Sequence, residues 1–436
     1  MGIDFKHPDY TANITAWERN RDAVSGQDAV KDKRTMYLPK LGGQTPDQYD
    51  AYLQRANYIN FSGRTEQAGV GQILRKPPVV NGVDKPENIH YLSKMVLSEI
   101  MTTNHGGVLV DYNDAKDEPE IIAYKAEEII NWRMGESGLE FVVLMGSVLV
   151  PDKVDKFKTK REIVYLELFI EEGIYRQRTW MQGKDGYIPQ DEIIPLMQGQ
   201  SLDYIPFTFA TTYGDDPCVR KPVITDIVNL NLSHYRNNAD YENMLHWTGA
   251  KTIVTKGWGD KPFPVGGNPD IDKDGDAFFL EASSDSGLKD ELRHKEENMA
   301  VLGSALLSGS GRYVASAETA RVTSAGEFAT LADISNAASD IMTTVMQIYA
   351  AWIGEGSDDV TVKYNTDFET DKLTSQDLIA WMGAVQAGMM SYETYYYNLQ
   401  RSDVYPEGWT AEDEQAAIDK AEETVIVDNG LINDME

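Results

Sequence analysis

The segment "DIDKDGDAFFLE" runs from Asp270 to Glu281 and has the residue types of a calcium loop. Asp270, Asp272, Asp274, Gly275 and Glu281 satisfy the pattern D-x-[DN]-x-[DN]-G-x5-E, and Asp276 stands beside them. Ca2+ takes hard oxygen ligands, and a glycine at the sixth position permits the sharp turn such a loop needs. The flanks argue the other way. "KPFPVGGNP" before the segment cannot be an entering helix, and "AFFLEASSDSG" after the turn reads as the end of a strand. Two readings therefore stand: a Ca2+ site, or an acidic hairpin turn. Ca2+ is the only cofactor the sequence raises, and none is required.

Other chemistry is sparse. HExxH, GxSxG and the phosphate loop GxxxxGK[ST] are all missing. "GSGR" at Gly309 to Arg312 is glycine-rich, but lacks the lysine and hydroxyl that would hold phosphate and metal, and it reads as a surface loop. His234 and His246 are twelve apart, which is not a ligand spacing on one helix face, so each reads as a core or surface histidine. Cys218 has no base beside it in sequence. The basic run "DKVDKFKTKR" from Asp152 to Arg161 either touches phosphate or covers a solvated hairpin. A hydrolase built on paired carboxylates would draw on the many acids, but most Asp and Glu on such a surface are merely solvated. The expectation is a chain without catalysis of its own.

Composition narrows the class further. The 436 residues exceed one small core, so two to four structural units are expected. There are 40 basic and 70 acidic residues, a net charge of −30, which excludes a general grip on DNA and favours solubility. Cys218 is the single cysteine, so internal disulfides are excluded and a reducing compartment is expected. The N-terminus has no apolar signal core, and "FVVLMGSVLV" (Phe141 to Val150) is too short to span a membrane as a helix. The expectation is a soluble intracellular protein.

The elements that position these residues change character along the chain. The first half reads as mixed α and β. "DQYDAYLQRANYINFSGRTEQAGVGQILRKPP" begins helical, with Tyr49, Tyr52 and Ala56 on one side, and ends at Pro77-Pro78. "GGVLVDY" and "LEFVVLMGSVLV" read as strands, "REIVYLELFIEEGIYRQRTWMQ" as a hairpin turning at Glu171-Glu172-Gly173, and Tyr204 to Tyr213 as a further strand. From Pro222 a helix of about 40 Å is expected. A β and turn insertion rich in Gly, Pro and Asp follows, then a second helix with Leu288, Leu292, Met299, Leu302 and Leu306 near one face. The two helices can run antiparallel, as a stem with a small domain at its tip. The tail reads as helical and acidic, with Thr374-x-x-Asp377 and Thr410-x-x-Asp413 as helix starts.

Between Ser316 and Gly354 there is no proline, and one long helix is expected. Phe328, Leu331, Ile334, Ala338, Ile341, Val345, Ile348 and Trp352 make a continuous apolar stripe. Thr330, Asp333, Ser335, Ser339, Asp340 and Thr343 cover the rest. Two arrangements suit this pattern. Small side chains permit close copies in a symmetric ring, with hydroxyls and carboxylates lining a wet channel. Alternatively the helix lies in the core of a large monomer.

Stretches spread over roughly residues 15 to 415 resemble the portal proteins of tailed bacteriophages. They include "YLPKL", "YLQRANYINFSGRTEQAGVGQILRKPP", "IIAYKAEEIINWR", "LNLSHYRNNADYENMLHWTGAKTIVT", "MAVLGSALL" and "GMMSYETYYYNLQRSDVYPEG". Their order and spacing together carry the resemblance. It implies an α+β portal-type fold: a mixed α/β wing (1–221), stem helices at 222–248 and 288–307 around a small β-rich clip (249–287), a tunnel loop (308–317), a tunnel helix (318–353), a return to the wing (354–370) and a helical crown with an acidic tail (371–436). It further implies a ring, typically of twelve copies, at one capsid vertex of the virion, assembled in the host cytoplasm, through which double-stranded DNA is packaged and ejected. The implied partners are the terminase large subunit, the major capsid protein and scaffold, and a head–tail adaptor, with no membrane. Ser308, Ser310, Arg312, Tyr313 and Arg321 become the candidates for facing DNA. A calcium-stabilised acidic adaptor of the virion remains the alternative.

Overall fold

The computed structural model describes residues 2–113, 116–151, 155, 157–184, 186–249, 252–256, 275–280, 286–307, 317–366, 368, 375–401, 413, 414 and 416. The chain divides into two units, Met1–Thr366 and Asp367–Glu436. In the first unit come helices α1 (Pro8–Ser25), α2 (Gln27–Asp32), α3 (Pro46–Arg55), α4 (Phe61–Ile73) and α5 (Ile89–Thr102), with strand β1 (Val79–Asn81) between the last two. Strands β2 (Gly106–Asn113) and β3 (Glu118–Lys125) follow. Next are β4 (Ile129–Gly135), β5 (Gly138–Pro151), β6 (Thr159–Glu171), β7 (Ile174–Gly183) and β8 (Gly186–Ile193). The pair β9 (Leu196–Met197) and β10 (Gln200–Ser201) leads to β11 (Phe207–Phe209). Then come α6 (Thr225–Gly249), the pair β12 (Thr252–Lys256) and β13 (Asp276–Leu280), α7 (Ser286–Leu307), α8 (Ala317–Ile353) and β14 (Thr361–Lys363). The second unit holds α9 (Ser375–Gln386) and α10 (Tyr392–Arg401). The chain is thus mixed α and β.

Local chemistry sets these boundaries. Pro8 occupies the first turn of α1, the His7 side chain accepts from the Asp9 N–H, and Gly26 ends the helix at φ 106°. Thr45 and Gln48 form a capping box on α3. The single helical run expected from residue 47 onward is split in two. Asn57 N–H donates to Asn238 Oδ1 (2.7 Å), Tyr58 N–H donates to Gln27 Oε1 (3.1 Å), and Asn60 Oδ1 caps α4 through the Gly63 N–H. Those bonds redirect the backbone between α3 and α4.

Strands β4 to β8 form an antiparallel meander. The β6–β7 hairpin turns on Glu172 (φ 53°) and Gly173 (φ 74°), the two positive φ values that a tight loop of matching twist requires. A second sheet runs β11-β2-β3. The strand expected over Tyr204 to Tyr213 is shorter, at Phe207–Phe209. Pro206 has no N–H for the ladder, and Phe209 N–H donates to Asp215 Oδ1 (2.7 Å) while Ala210 N–H still reaches the Gly106 carbonyl of β2 (2.8 Å). Gly107 on β2 is obligatory for this pairing, because a Cβ there would sit 2.1 Å from the Phe207 ring.

The core around the first half of α6 is rich in tyrosine. Tyr37, Tyr49, Tyr52 and Tyr58 pack with Leu38, Leu53, Ile224, Ile227, Val228, Leu232 and Tyr235. Four of the hydroxyls are satisfied, Tyr37 by Asp22, Tyr49 by the Leu38 carbonyl, Tyr52 by Asp240 and Tyr58 by the Ala23 carbonyl, while that of Tyr235 has no partner among the described residues. Burying such rings costs less when the polar tip finds a partner.

A charged clamp fastens α1 to the rest. Arg21 donates two bonds to Glu99 (2.9 and 2.8 Å) and two to Glu127 (2.5 and 2.7 Å). Burial pushes the Glu99 carboxyl above the usual carboxylate range, against the pull of Arg21. Beside it His105, fully buried, stacks on Trp17 (centroids 5.1 Å apart) and meets Trp132 at a tilt of 38° (4.9 Å). Burial, with His7 nearby, lowers the His105 pKa to about 3 and keeps the ring neutral.

Candidate functional site

The segments expected to form stem and tunnel helix are α6, α7 and α8, with β14 packed on α8. Helices α6 and α7 pack side by side. Lys295 Nζ donates to Ser233 Oγ (2.9 Å), and His234 Nε2 pairs with Glu296 Oε1 (3.1 Å). His234 is therefore a buried structural histidine, and burial lowers its pKa despite Glu296. Of the α7 positions expected on one apolar face, Leu292 and Met299 are buried, Leu288 is half-buried and Leu302 is exposed. Leu306 has no described side chain. Leu245 and Trp247 near the C-terminal end of α6, and Val301 and Leu302 toward the C-terminal end of α7, are exposed.

Helix α8 runs 37 residues, within a residue of the expected bounds at each end. Its stripe is buried at Leu331, Ile334, Ala338, Ile341, Val345 and Trp352 and half-buried at Ile348. The partners are in the same chain: α5, α7, β2, β3, β11 and β14. Each fully buried Leu, Ile or Val stabilises the fold by about 1.5–3 kcal/mol. Over these residues the stripe is covered by the chain's own elements.

The hydroxyl row is not free, which corrects the expectation that these hydroxyls line a channel. Gln347 Nε2 donates to the Val360 carbonyl (3.3 Å). Thr343 Oγ1 donates to the Val362 carbonyl (3.3 Å) and accepts from the Val362 N–H (2.9 Å). Ser339 Oγ accepts from the Tyr364 N–H (3.1 Å) and donates to the Ser335 carbonyl. Ser335 Oγ donates to the Asn365 carbonyl (2.7 Å). One turn of helix advances about 5.4 Å and two strand residues about 6.6 Å. A row at i, i+4, i+8 and i+12 can therefore meet a strand on nearly every second residue. β14 pairs on its other side with β1.

The neighbouring sector of α8 is exposed at Asp333, Asn336 and Asp340. With Tyr213 and Val223 these residues line a groove of about 580 Å³. This is the only part of the expected wet face with described side chains open to solvent.

The other candidates separate cleanly. Ser308, Ser310, Arg312 and Tyr313 lie outside the described residues, and Arg321 lies within α8 without a described side chain. Asp270, Asp272, Asp274 and Glu281 also lie outside them, whereas Asp276 is exposed at the start of β13. Among the described residues no group of three or more acids, histidines or cysteines could hold a metal ion. Cys218 is exposed, and its N–H donates to Asp216. No described helix is long and apolar enough to cross a membrane. The Arg21–Glu99–Glu127 clamp has no local signature, since its members lie 78 and 106 residues apart. Pro8 and Gly26, a proline inside and a glycine after, are the sequence signal for α1.

No curated protein matches the chain. Solved structures similar to it include the virion of a native gene transfer agent particle and the neck of an empty gene transfer agent particle. Both are 10% identical and cover 86% of this chain and 99% of the other, at TM-scores of 0.40 and 0.38. A likeness this slight carries no argument. The family described as "Domain of unknown function (DUF4055)" matches residues 223–353, the segment that runs from α6 through α8.

Proposed function

We propose that this chain is the subunit of a portal-type ring in a tailed-phage-like particle, a DNA channel without catalysis of its own. The observation that carries the proposal is the order of elements from α6 to α8. A helix pair leaves Leu245, Trp247, Val301 and Leu302 exposed, has a small β insertion between its helices, and is followed by a 37-residue helix whose open sector presents Asp333 and Asp340. The sequence resemblance independently calls for stem, clip and tunnel helix in that order. Exposed apolar residues on the stem suit burial against a second copy. Closure of such contacts into a ring places the same surface of every copy around one axis.

The charge then has a physical role. Each copy carries −30, and a channel rimmed by carboxylates repels phosphate, so DNA slides without adhering. In this reading the clip meets the terminase large subunit and then the head–tail adaptor, the wing meets capsid protein and scaffold, and ATP hydrolysis falls to the separate motor. Arg312 and Arg321 are the proposed transient phosphate contacts, and normal packaging by both alanine variants would remove them from the account.

Electron microscopy of the purified protein tests the main claim. Annular particles with an axial hole are expected, and a lone subunit at every concentration and in assembled particles sinks it. A second reading, a calcium-stabilised acidic adaptor, is favoured only by the Asp270–Glu281 pattern. Calorimetric titration with Ca2+ that gives equal heats for wild type and Glu281→Gln eliminates it.

A further inference from the structure

The first unit carries two further features: the cationic residues Lys158, Lys160 and Arg161 beside Phe157 at the start of β6, and a wide cleft beside the meander. We infer that they fit each other between copies. The aromatic, cationic end of β5–β6 in one copy docks into the aromatic, carboxylate-walled cleft at the other end of the same sheet in a second copy. The inference rests on the self-association proposed above and names a surface for it.

The cleft has a volume of about 1050 Å³. Phe141, Phe169, Phe207, Phe209 and Tyr204 supply its aromatic lining. Its walls carry six carboxylates and a single guanidinium, Arg133. Arg133 is already engaged: it bonds to Glu140 (2.5 Å) and lies 4.9 Å over the Phe141 ring. Arg178 lies 4.9 Å over Phe169 in the same way. The cleft is therefore a place where cations stack on rings beside acids. Glu136, Glu172 and Asp203 on its rim are exposed and have no ion pair among the described residues.

The opposite end of the sheet has the complementary chemistry. β5 stops at Pro151 and β6 starts at Thr159. Phe157 is 85% exposed and Leu149 is 65% exposed. The Lys158 and Lys160 side chains are each 75% exposed, and Arg161 is exposed beside them. Their partners, Asp155 and Glu162, lie 3.5 Å away on the surface, where such pairs contribute little and exchange readily.

Position decides between self-docking and docking on a copy. The cleft is bounded by the β4–β5 turn at Gly135–Gly138 and the β6–β7 turn at Glu172–Gly173. The basic end lies beyond Pro151. Along β5 the separation is about 43 Å at about 3.3 Å per residue. A chain cannot fill its own cleft with the far end of the same sheet. Contact between two different patches on identical copies is heterologous, and it propagates head to tail until it closes. Phe157 would enter the aromatic pocket as the anchor, while the cations meet Glu136, Glu172 and Asp203 at the rim.

The test uses the full chain in sedimentation velocity and electron microscopy. The tip variant is Lys158→Glu/Lys160→Glu/Arg161→Glu, the cleft variant is Glu136→Lys/Glu172→Lys/Asp203→Lys, and a third variant combines both. Every substituted side chain is exposed, and circular dichroism checks each fold. Each triple variant is expected to raise the concentration for half-assembly by about tenfold or more, and the combination to recover most of that loss. Rings from wild type and from a single triple variant alike overturn this contact and leave the ring reading intact. Monomeric wild type at all concentrations overturns both. Loss of DNA binding by the tip variant with unchanged assembly assigns the basic end to DNA and also overturns it. A second measurement avoids charge: Phe157→Cys/Tyr204→Cys in a Cys218→Ser background. Mild oxidation is expected to give crosslinked copies, and monomer alone counts against the contact.

Discussion

Helices α6 and α8 are both long and both start from a polar-looking sequence, yet the chain holds them by opposite means. Around α6 the work falls to large side chains, tyrosines whose rings fill space and whose hydroxyls bond to the Leu38 and Ala23 carbonyls and to Asp240. Along α8 an apolar stripe lies next to a row of small polar side chains that bind the backbone around β14 directly. In the first region hydrogen bonds accompany packing. In the second they replace the strand-to-strand ladder that a further β-strand would have supplied. A polar residue on a helix is thus not a sign of solvent until its partners are known.

The largest effect that breaks this comparison is Tyr49→Ala. It removes a fully buried ring from the α6 core and should cost about 3–5 kcal/mol in denaturant unfolding. A loss below 1 kcal/mol would mean that the tyrosine core is not what holds α6. Acid comes next. His105 is neutral in the fold, with a pKa near 3, while the unfolded chain takes the proton below about pH 6.5. Stability from this group is therefore lost as pH falls from about 6.5 towards 3, at about 1.4 kcal/mol per pH unit. Hydrogen exchange should show α1 opening before the row on α8, which has no titrating member. His105→Phe should flatten that slope, and an unchanged slope would assign the acid sensitivity elsewhere.

Thr343→Val should cost about 1–3 kcal/mol, because it leaves both backbone groups of Val362 without their partner on α8. Exchange of the Val362 amide should accelerate while the α6 core stays protected. If the two regions lose protection together, they form a single cooperative unit and the contrast drawn here is one of contacts alone. The smallest expected effect is Tyr52→Phe, about 1.5 kcal/mol, from loss of the bond to Asp240 with the ring retained. A larger loss than that for Thr343→Val would reverse the order and make hydrogen bonding dominant in both places.

Much of the skeleton was legible in the sequence. The bounds of α6 and α8 follow from periodicity with a proline before one and a glycine after the other. The β6–β7 hairpin follows from two alternating runs around Glu172-Gly173. What escaped was anything set by distant residues. Ser335, Ser339 and Thr343 look solvent-facing because their partners are backbone groups in and just after a three-residue strand, too short to announce itself. Leu302 looks like core by spacing and is exposed, because spacing identifies a face but not what covers it. The break at residues 56–60 depends on Asn238, far along the chain. Of the candidate site residues, Asp276 alone has a described side chain, so the loop candidates gained no geometry of their own.

The polar row on α8 also has an entropic side. Serine and threonine each fix a single rotatable torsion when they bond, so holding the backbone around β14 sacrifices little rotamer freedom compared with long amide or charged side chains. A three-residue strand paired only with the equally short β1 would be marginal. Cheaply ordered hydroxyls on a rigid helix let so brief a segment keep a defined place in the fold.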